Sequence, residues 1–230
     1  MIPAIVLVGG LGTRLAGVSG GLPKPMVPVA KRPFVEFVLD ALVEAGCTRI
    51  VLAVSYLREA IIERFGGAYR GVPLEYSIEE VPMGTGGAIR DALRFTHGDA
   101  ALVLNGDTLF RVDIGALVAN HLRCSADITV ALRRVADTTR YGAVELDGEF
   151  IRAFHEKGRS GPGLVNGGVY VVNSKVIRRC VATEGPSSFE RDVLGRVEGL
   201  RLLGVPSDGY FIDIGAPEDL IRARSELGGG

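Results

Sequence analysis

The most informative segment of the chain is Ala4-Ile5-Val6-Leu7-Val8-Gly9-Gly10-Leu11-Gly12-Thr13-Arg14-Leu15. Its first five residues are all apolar, which is typical of a parallel strand buried on both faces. The glycines that follow lack the Cβ atoms that would keep a backbone away from an anion, and glycine adopts positive φ without penalty. Such a turn can point several N–H groups at one phosphate. We therefore predict a buried strand that leads into a phosphate-binding turn.

Two cations belong to the same segment. Arg14 lies in the turn itself, and Lys24 follows a short variable stretch, between Pro23 and Pro25. Proline fixes its own φ and restricts the residue before it, so Lys24 is expected on a stiff piece of backbone. A backbone cradle with two fixed positive charges suits a polyphosphate.

A dinucleotide-binding site is the main rival interpretation of this turn. Residues 10–15 are similar to the GxGxxG pattern, but Leu15 replaces the third glycine. That pattern also needs an acidic residue at the end of the second strand, about 20 positions on, and the predicted second strand ends at Ser55. An NAD-dependent dehydrogenase is therefore the weaker hypothesis.

The composition is that of a folded globule with a sizeable core. The chain has 230 residues, is 47% hydrophobic and carries a formal net charge of −1. A near-neutral charge predicts neither a nucleic acid nor a membrane as partner. The three cysteines are far apart in the sequence, which argues against zinc and against a disulfide framework. No signal peptide or membrane span is recognised, so we expect a cytoplasmic location. The oligomeric state stays open, with a homodimer among the options.

Strands and helices alternate along the first half of the chain. Apolar periodicity and glycine stops predict helices at residues 34–45, 57–65, 88–95 and 113–121, and strands at residues 49–55, 74–78 and 100–104. The second half is richer in strands, predicted at residues 127–133, 142–146 and 169–172, with a hairpin turn at Asp147-Gly148 and helices at residues 188–197 and 217–227. This alternation of strands and helices predicts an α/β fold with a Rossmann-like, mostly parallel mixed sheet flanked by helices on both faces.

Ligands of such sheets bind beyond the carboxyl ends of the strands. The glycine-rich turn, the Gly84-Thr85-Gly86-Gly87 block and Asp107 all follow predicted strands. We therefore expect these three features to converge on one site.

Seven blocks, spread over nearly the whole chain, resemble the signature of the sugar-1-phosphate nucleotidylyltransferases. They are residues 9–15 with Pro23-Lys24-Pro25, then Gly84-Thr85-Gly86-Gly87, Asn105-Gly106-Asp107, Tyr141-Gly142, Glu156-Lys157, Asn166-Gly167-Gly168 and Asp213-Ile214-Gly215. The resemblance implies transfer of a nucleoside monophosphate from a nucleoside triphosphate to a sugar 1-phosphate, with release of pyrophosphate and a need for Mg²⁺. It also implies a single domain over residues 1–230, with a nucleotide-binding core at 1–125 and a sugar-phosphate-binding part at 126–230.

Catalysis of this reaction rests on alignment and charge neutralisation. A phosphate monoester has a second pKa of about 6, so the attacking oxygen is mostly ionised at neutral pH and needs no general base. Arg14 and Lys24 are the expected catalytic residues, with Lys24 between the two reacting phosphates. The expected nucleotide-binding residues are Leu7, Gly9, Gly10, Gly12, Thr13, Glu79, Glu80, Pro82, Gly84, Thr85, Asn105 and Gly106.

Asp107 and Asp213 are the expected ligands of Mg²⁺, which proteins typically hold by one or two carboxylates and substrate phosphates. For either residue taken alone, a turn or helix-capping role after a strand is the alternative.

The base is expected to be guanine, hence GTP as donor. Guanine presents N1–H and the N2 amine side by side, so one carboxylate can accept from both, and Glu79 and Glu80 offer such carboxylates. The glycines at 84, 86 and 87 would let the base lie flat on the backbone. Solvated charges at a strand edge are the alternative interpretation of the two glutamates.

The acceptor sugar phosphate is expected to contact Tyr141, Gly142, Glu156, Lys157, Asn166 and Gly167. In its short length, its Phe189-Glu190-Arg191-Asp192 block and its Asn166-Gly167-Gly168 block, the chain looks most like the D-glycero-α-D-manno-heptose 1-phosphate guanylyltransferases. Mannose 1-phosphate guanylyltransferases and a short uridylyltransferase are the enzyme alternatives. A nucleotide-sugar sensor without turnover is the non-enzyme alternative.

Overall fold

The computed structural model describes residues 2–9, 22–55, 57–158 and 160–228. Its strands are β1 (Ala4–Leu7), β2 (Pro28–Val29), β3 (Arg32–Pro33), β4 (Ile50–Val54), β5 (Ala68–Tyr69), β6 (Val72–Ile78), β7 (Ala100–Asn105), β8 (Thr108–Phe110), β9 (Ile128–Val135), β10 (Ala143–Asp147), β11 (Phe150–Phe154), β12 (Gly163–Asn173), β13 (Leu202–Ser207) and β14 (Phe211–Asp213). Its helices are α1 (Val35–Glu44), α2 (Arg58–Phe65), α3 (Gly84–Ala92), α4 (Ile114–Arg123), α5 (Ser174–Cys180) and α6 (Pro217–Leu227), with a 3₁₀ turn at Lys24–Met26 and a π-helical segment at Phe189–Leu194.

Ten of these strands form one central sheet, in the order β10-β11-β13-β9-β12-β7-β1-β4-β6-β5. β1 lies between β4 and β7 and is parallel to both, and β6 continues the parallel part beside β4. The second half of the chain joins through β12, which is antiparallel to both β7 and β9. The α/β fold with a mixed sheet is confirmed, and its antiparallel strands come largely from the second half.

Apolar side chains cover both faces of the sheet. In β1, Val6 belongs to one buried cluster and Ile5 to another, because successive residues of a strand point to opposite faces. Helices α1, α2, α4 and α6 pack in the Val6 cluster, whereas α3, α5 and the π-helical segment pack in the Ile5 cluster. Apolar packing on both faces explains the uninterrupted hydrophobic run of β1.

Most of the predicted elements are confirmed, and the differences lie at glycines and in short strands. α3 begins at Gly84, so the Gly84–Gly87 block forms its first turn and does not precede it as a loop. The helix predicted at 188–197 is a shorter π-helical segment. Strand β12 is eleven residues long, and its register against β9 shifts between Asn166 and Tyr170. Strands β2, β3, β5, β8, β11, β13 and β14 and helix α5 were not predicted.

A short antiparallel ribbon stands apart from the central sheet. β8 pairs with β14, and the pairing sets Asp213 opposite Thr108. The backbone N–H of Ile214 also donates to the carbonyl of Asp107 at 3.0 Å. This ribbon brings the chain after Tyr210 back to the end of β7.

Candidate functional site

A cavity of about 280 Å³ opens at the carboxyl ends of β1, β4 and β7. Parallel neighbours end at the same edge of a sheet, so residues distant in sequence meet there. The residues that line it are Leu7, Gly9, Lys24, Pro25, Ala53, Glu79, Pro82, Gly84, Thr85, Ala88, Asn105, Asp107 and Glu190.

Two glycines let the chain segments at this edge approach closely. The N–H of Gly106 donates to the carbonyl of Leu7 at 2.9 Å, and a Cβ at Gly106 would lie 2.7 Å from that oxygen. Ser55 Oγ donates to the carbonyl of Gly9 at 2.5 Å, and a Cβ at Gly9 would lie 2.8 Å from the same Oγ. Neither position has room for a larger residue without movement of backbone or neighbours.

Lys24 lines the cavity and contacts two carboxylates, of which only that of Asp107 is also part of the lining. Its Nζ lies 2.5 Å from Oδ2 of Asp107 and 3.6 Å from Oδ1 of Asp213. The flanking Pro23 and Pro25 are buried, and the N–H of Met26 donates to the carbonyl of Pro23 at 2.8 Å. The lysine therefore stands on an anchored turn, as its two prolines predict.

The two carboxylates fit a divalent cation. Oδ1 of Asp213 is buried and has no hydrogen-bond partner among the described residues, although the Lys24 ammonium faces it. Burial, and then the nearby negative charge of Asp107, raises the pKa of Asp213. A buried carboxylate oxygen short of a donor, beside a second carboxylate, is a suitable ligand for Mg²⁺. In the described ranges no group of three or more His, Cys, Asp or Glu residues is placed to hold a metal, so substrate oxygens would complete such a site.

Glu79 lines the cavity at the end of β6, and Glu80 does not. The carboxylate of Glu79 is half-buried and accepts from the N–H of Met83 at 3.3 Å, and burial raises its pKa. Glu80 is exposed, and its Oε1 lies 3.1 Å from Nη1 of Arg58. The structure thus brings only the first of the two predicted glutamates to the site.

The glycines of α3 face protein rather than empty space. A Cβ at Gly84 or Gly86 would meet the backbone of Ser187 at 2.5 to 3.0 Å, and one at Gly87 would meet the Met83 side chain. The N–H of Gly86 donates to the carbonyl of Ser187 at 2.8 Å. The prediction that these glycines form a flat surface for the base is therefore wrong. They leave room for Ser187, so that the segment before Glu190 packs closely against the start of α3.

The predicted sugar-phosphate residues lie outside the lining of this cavity. The Tyr141 ring packs edge-on against Phe211, two residues before Asp213, at 6.3 Å between centroids. Gly142 leaves room for the carbonyl of His155, 2.6 Å from where a Cβ would stand. Glu156 and Lys157 are exposed on the chain after β11.

Asn166 is held inside the bulged part of β12. Its Nδ2 donates to the hydroxyl of Tyr170 at 2.8 Å, and its Oδ1 accepts from the N–H of Gly168 at 2.9 Å. Gly167 leaves room for the Phe110 ring and for the carbonyl of Ala131. The Asn-Gly-Gly block is therefore a strand irregularity built on close packing.

The remaining predicted residues divide into two groups. Asn105 and Pro82 line the cavity, and Gly106 is not part of the lining but lies in the chain between the lining residues Asn105 and Asp107. The predictions for Gly10, Gly12, Thr13 and Arg14 fall outside the described residues.

Four lining residues were not predicted: Pro25, Ala53, Ala88 and Glu190. Pro25 directly follows Lys24 and Ala88 directly follows the Gly84–Gly87 block, so their neighbours carried a signal, and Ala53 lies within the strand predicted at residues 49–55. Glu190 lies 105 residues after Thr85 in the sequence, and only the tertiary fold brings it to the cavity.

Comparison with known proteins places this geometry in a family. The sequence pattern of the family described as "Nucleotidyl transferase" matches residues 3–228. A D-glycero-alpha-D-manno-heptose 1-phosphate guanylyltransferase of Aneurinibacillus thermoaerophilus is 43% identical over 226 residues, which are 97% of each chain. A mannose-1-phosphate guanylyltransferase of Mycobacterium tuberculosis is 37% identical over 98% of this chain, which spans 64% of that relative.

A solved structure has the same fold over its whole length. The crystal structure of HddC from Yersinia pseudotuberculosis covers 99% of this chain and 100% of its own, with a TM-score of 0.88 and 34% identity. The same protein is also known complexed with GMP-PN. The conserved architecture and the extent of these matches lead to one conclusion: the chain belongs to the nucleotidyl transferase family.

Proposed function

We propose that this enzyme transfers GMP from GTP to D-glycero-α-D-manno-heptose 1-phosphate, giving GDP-heptose and pyrophosphate. The observation that carries the proposal is the contact of Lys24 with Asp107 and Asp213, at a cavity at the strand ends that Lys24 and Asp107 line. One anchored cation beside two carboxylates suits a reaction between two phosphates. The Aneurinibacillus relative, similar over 97% of both chains, supports the choice of substrates.

In this proposal the chain's own groups position and neutralise the reactants. Two phosphate groups repel each other, and a preorganised cation between them lowers the barrier to their approach. Lys24 supplies that charge from its proline-anchored turn, and Arg14 with the amides of Gly9, Gly10, Gly12 and Thr13 holds the triphosphate. The sugar phosphate oxygen attacks the α-phosphorus in line, and pyrophosphate leaves on the opposite side. The attacking oxygen needs no base because it is already ionised at neutral pH.

Mg²⁺ is the proposed metal, and Asp107 with Asp213 would hold it. When bound, it neutralises negative charge on the phosphates. The unpartnered Oδ1 of Asp213 supports this assignment. The β8–β14 ribbon pairs Asp213 with Thr108, the residue after Asp107, and this proximity supports a metal site shared by the two carboxylates.

Glu79 is the proposed guanine-binding residue. Its half-buried carboxylate can accept from both N1–H and the N2 amine of guanine, whereas uracil and thymine offer one N–H beside carbonyls that a carboxylate repels. Pro82, Gly84 and Thr85 are proposed to contact the nucleoside, and Leu7, Asn105 and Gly106 its sugar and phosphate side. Glu80 is assigned no role in this site because it pairs with Arg58.

The acceptor is proposed to enter from the second half of the chain, past Tyr141, Gly142, Glu156, Lys157, Asn166 and Gly167. Mannose 1-phosphate is the second candidate acceptor, favoured by the 37% identity to the mycobacterial mannose-1-phosphate guanylyltransferase. The near-complete coverage of the heptose-specific relative, against 64% of the mycobacterial one, favours heptose.

We also propose one functional domain over residues 1–230 and a cytoplasmic location, and the oligomeric state stays open between a monomer and a homodimer. Neither a nucleic acid nor a membrane is a proposed partner. None of the described helices is long and apolar enough to cross a bilayer.

Pyrophosphate release tests the proposal directly. The purified enzyme is supplied with Mg²⁺, one of four nucleoside triphosphates, and the 1-phosphate of heptose, mannose, glucose or N-acetylglucosamine. The fastest release is expected with GTP and the heptose phosphate. Faster turnover with UTP or dTTP would overturn the base assignment, faster turnover with mannose 1-phosphate would overturn the acceptor, and no release with any pair would favour a sensor.

A further inference from the structure

Glu190 is the one residue that the second half contributes to the described lining of the cavity; the other lining residues all lie at or before Asp107. The residue belongs to the π-helical segment Phe189–Leu194, which packs against α3. The two halves of the site therefore meet at this carboxylate.

The carboxylate is held by a small hydrogen-bond network. Oε2 of Glu190 accepts from Thr85 Oγ1 at 2.8 Å and from Ser188 Oγ at 3.2 Å. Thr85 Oγ1 in turn accepts from the N–H of Phe189 at 2.8 Å. In the described ranges every side-chain hydrogen bond of Glu190 involves Oε2, so Oε1 remains available to a ligand.

Buried side chains fix the backbone from which Glu190 projects. Phe189 is fully buried and packs edge-on against Tyr170, with 5.1 Å between ring centroids. The hydroxyl of Tyr170 accepts from the amide of Asn166, a residue assigned to the sugar side. Glu190 thus stands on the same packed unit as the sugar-side part of β12.

The chemistry of a carboxylate limits what Oε1 can bind. It repels phosphates, which the site directs towards Lys24, and the guanine edge is assigned to Glu79. A carboxylate accepts strong, charge-assisted hydrogen bonds from hydroxyl groups, which are abundant on a sugar. A carboxylate preset by Thr85 and Ser188 can select a particular hydroxyl by position.

We propose that Glu190 is a specificity-determining residue whose Oε1 accepts a hydrogen bond from a hydroxyl of the acceptor sugar. The proposal rests on the proposed function, because it requires a sugar 1-phosphate as second substrate. Its link to Asn166 through Phe189 and Tyr170 favours the acceptor sugar over the ribose of the nucleotide.

Steady-state kinetics of Glu190→Ala and Glu190→Gln test this role, with each substrate varied in turn. Loss of a hydrogen bond to a charged group predicts a KM for the sugar 1-phosphate that rises about tenfold or more, with the KM for GTP changed less than about twofold. Glu190→Gln keeps an oxygen that can accept from Thr85 and Ser188 but loses the charge, so it is expected to stay folded with a raised sugar KM. Glu184→Ala, an exposed glutamate outside the cavity, is the matched control with unchanged KM values.

Deoxy analogues of the sugar 1-phosphate identify the hydroxyl. The wild-type enzyme is expected to lose kcat/KM with the analogue that lacks the recognised hydroxyl, whereas Glu190→Ala treats that analogue and the parent sugar alike. A merely structural role would raise both KM values together in Glu190→Ala and leave Glu190→Gln like the wild type, and would overturn the proposal. A rise in the GTP KM alone would reassign Glu190 to the ribose and overturn it as well. Failure of the wild-type enzyme with every sugar 1-phosphate would instead contradict the proposed function.

Discussion

Replacement of Lys24 by alanine separates catalysis from folding. In the structure the Lys24 side chain is 15% exposed, and its Nζ faces Asp107 and Asp213 at 2.5 and 3.6 Å. Removal of this ammonium leaves two carboxylates without their cation, but both stay partly exposed, at 33% and 37% of their side chains. Solvent ions and protons can therefore compensate in the resting protein.

The magnitudes expected for stability and for turnover differ widely. For partly exposed ion pairs the loss is on the order of 1 kcal/mol, which lowers the Tm of a chain of this size by about 2–4 °C. Loss of one preorganised charge-stabilising group in an active site costs about 10²–10³ in rate. Lys24→Ala is therefore expected to melt within about 4 °C of the wild type and to lose at least about a hundredfold in kcat/KM.

Thermal melting by circular dichroism and pyrophosphate release with GTP and the heptose phosphate measure the two quantities. Lys175→Ala is the matched control, because Nζ of Lys175 also pairs with an aspartate, Asp99, at 3.2 Å, but on the exposed surface. The control is expected to keep both its Tm and its activity. A kcat/KM of Lys24→Ala within about threefold of the wild type would show that Lys24 is not a catalytic residue. An equal loss of activity in Lys175→Ala would contradict the catalytic role as well.

Three further predictions follow from the geometry of single residues. Glu79→Gln is expected to raise the KM for GTP and to reduce the preference for GTP over ITP, which lacks the N2 amine; an unchanged GTP-to-ITP ratio of kcat/KM would contradict guanine recognition by Glu79. Gly106→Ala sets a Cβ 2.7 Å from the Leu7 carbonyl and is expected to lower the free energy of unfolding by about 1–3 kcal/mol, whereas Gly67→Ala, with nothing within 4 Å of its Cβ, serves as the control in the same denaturant titration. Burial lowers the pKa of His121, against a smaller opposite effect of Asp127, and its Nδ1 lies 2.9 Å from Thr129 Oγ1. Below its ordinary pKa of about 6.5, His121 therefore binds a proton in the unfolded chain more readily than in the folded chain, so the free energy of unfolding falls as the pH falls below that value. In urea titrations at several pH values, the free energy of unfolding of His121→Gln is expected to depend less on pH between pH ~7 and ~5 than that of the wild type. An equal pH dependence in the two proteins would speak against this role of His121.

The parallel core could be predicted because its signals are local. The apolar run of β1, the glycine after α1 and the regular alternation of elements each follow from a few neighbouring residues. Asp113 was also predicted to begin a helix, and in the structure its side chain caps α4 by accepting from the N–H of Ala116. Strands as short as β8 and β14 have too few residues to show a hydrophobic periodicity. The ribbon that brings Asp213 close to Asp107 could therefore not be predicted from the sequence pattern.

The candidate site could be predicted in part. Lys24, Glu79 and Asp107 stood out because their neighbours are prolines, a strand end or small residues that allow close approach. Glu190 could not be found in this way, since its place depends on the packing of Phe189 against Tyr170 and of Ser187 against α3. Gly84 and Gly86 were assigned to the base for a similar reason. The contact with Ser187, for which they leave room, depends on the tertiary fold and could not be predicted from their sequence neighbours.

Competition among nucleotides and sugar phosphates shows which sugar nucleotide the enzyme makes. The enzyme receives Mg²⁺, equal amounts of GTP, ATP, UTP and CTP, and equal amounts of D-glycero-α-D-manno-heptose 1-phosphate and mannose 1-phosphate, and mass spectrometry identifies the products. Because Glu79 and Lys24 line the same cavity and the chain is similar throughout to a heptose 1-phosphate guanylyltransferase, GDP-heptose is expected as the main product. A mixture dominated by a UDP-sugar, or by GDP-mannose, would contradict the account.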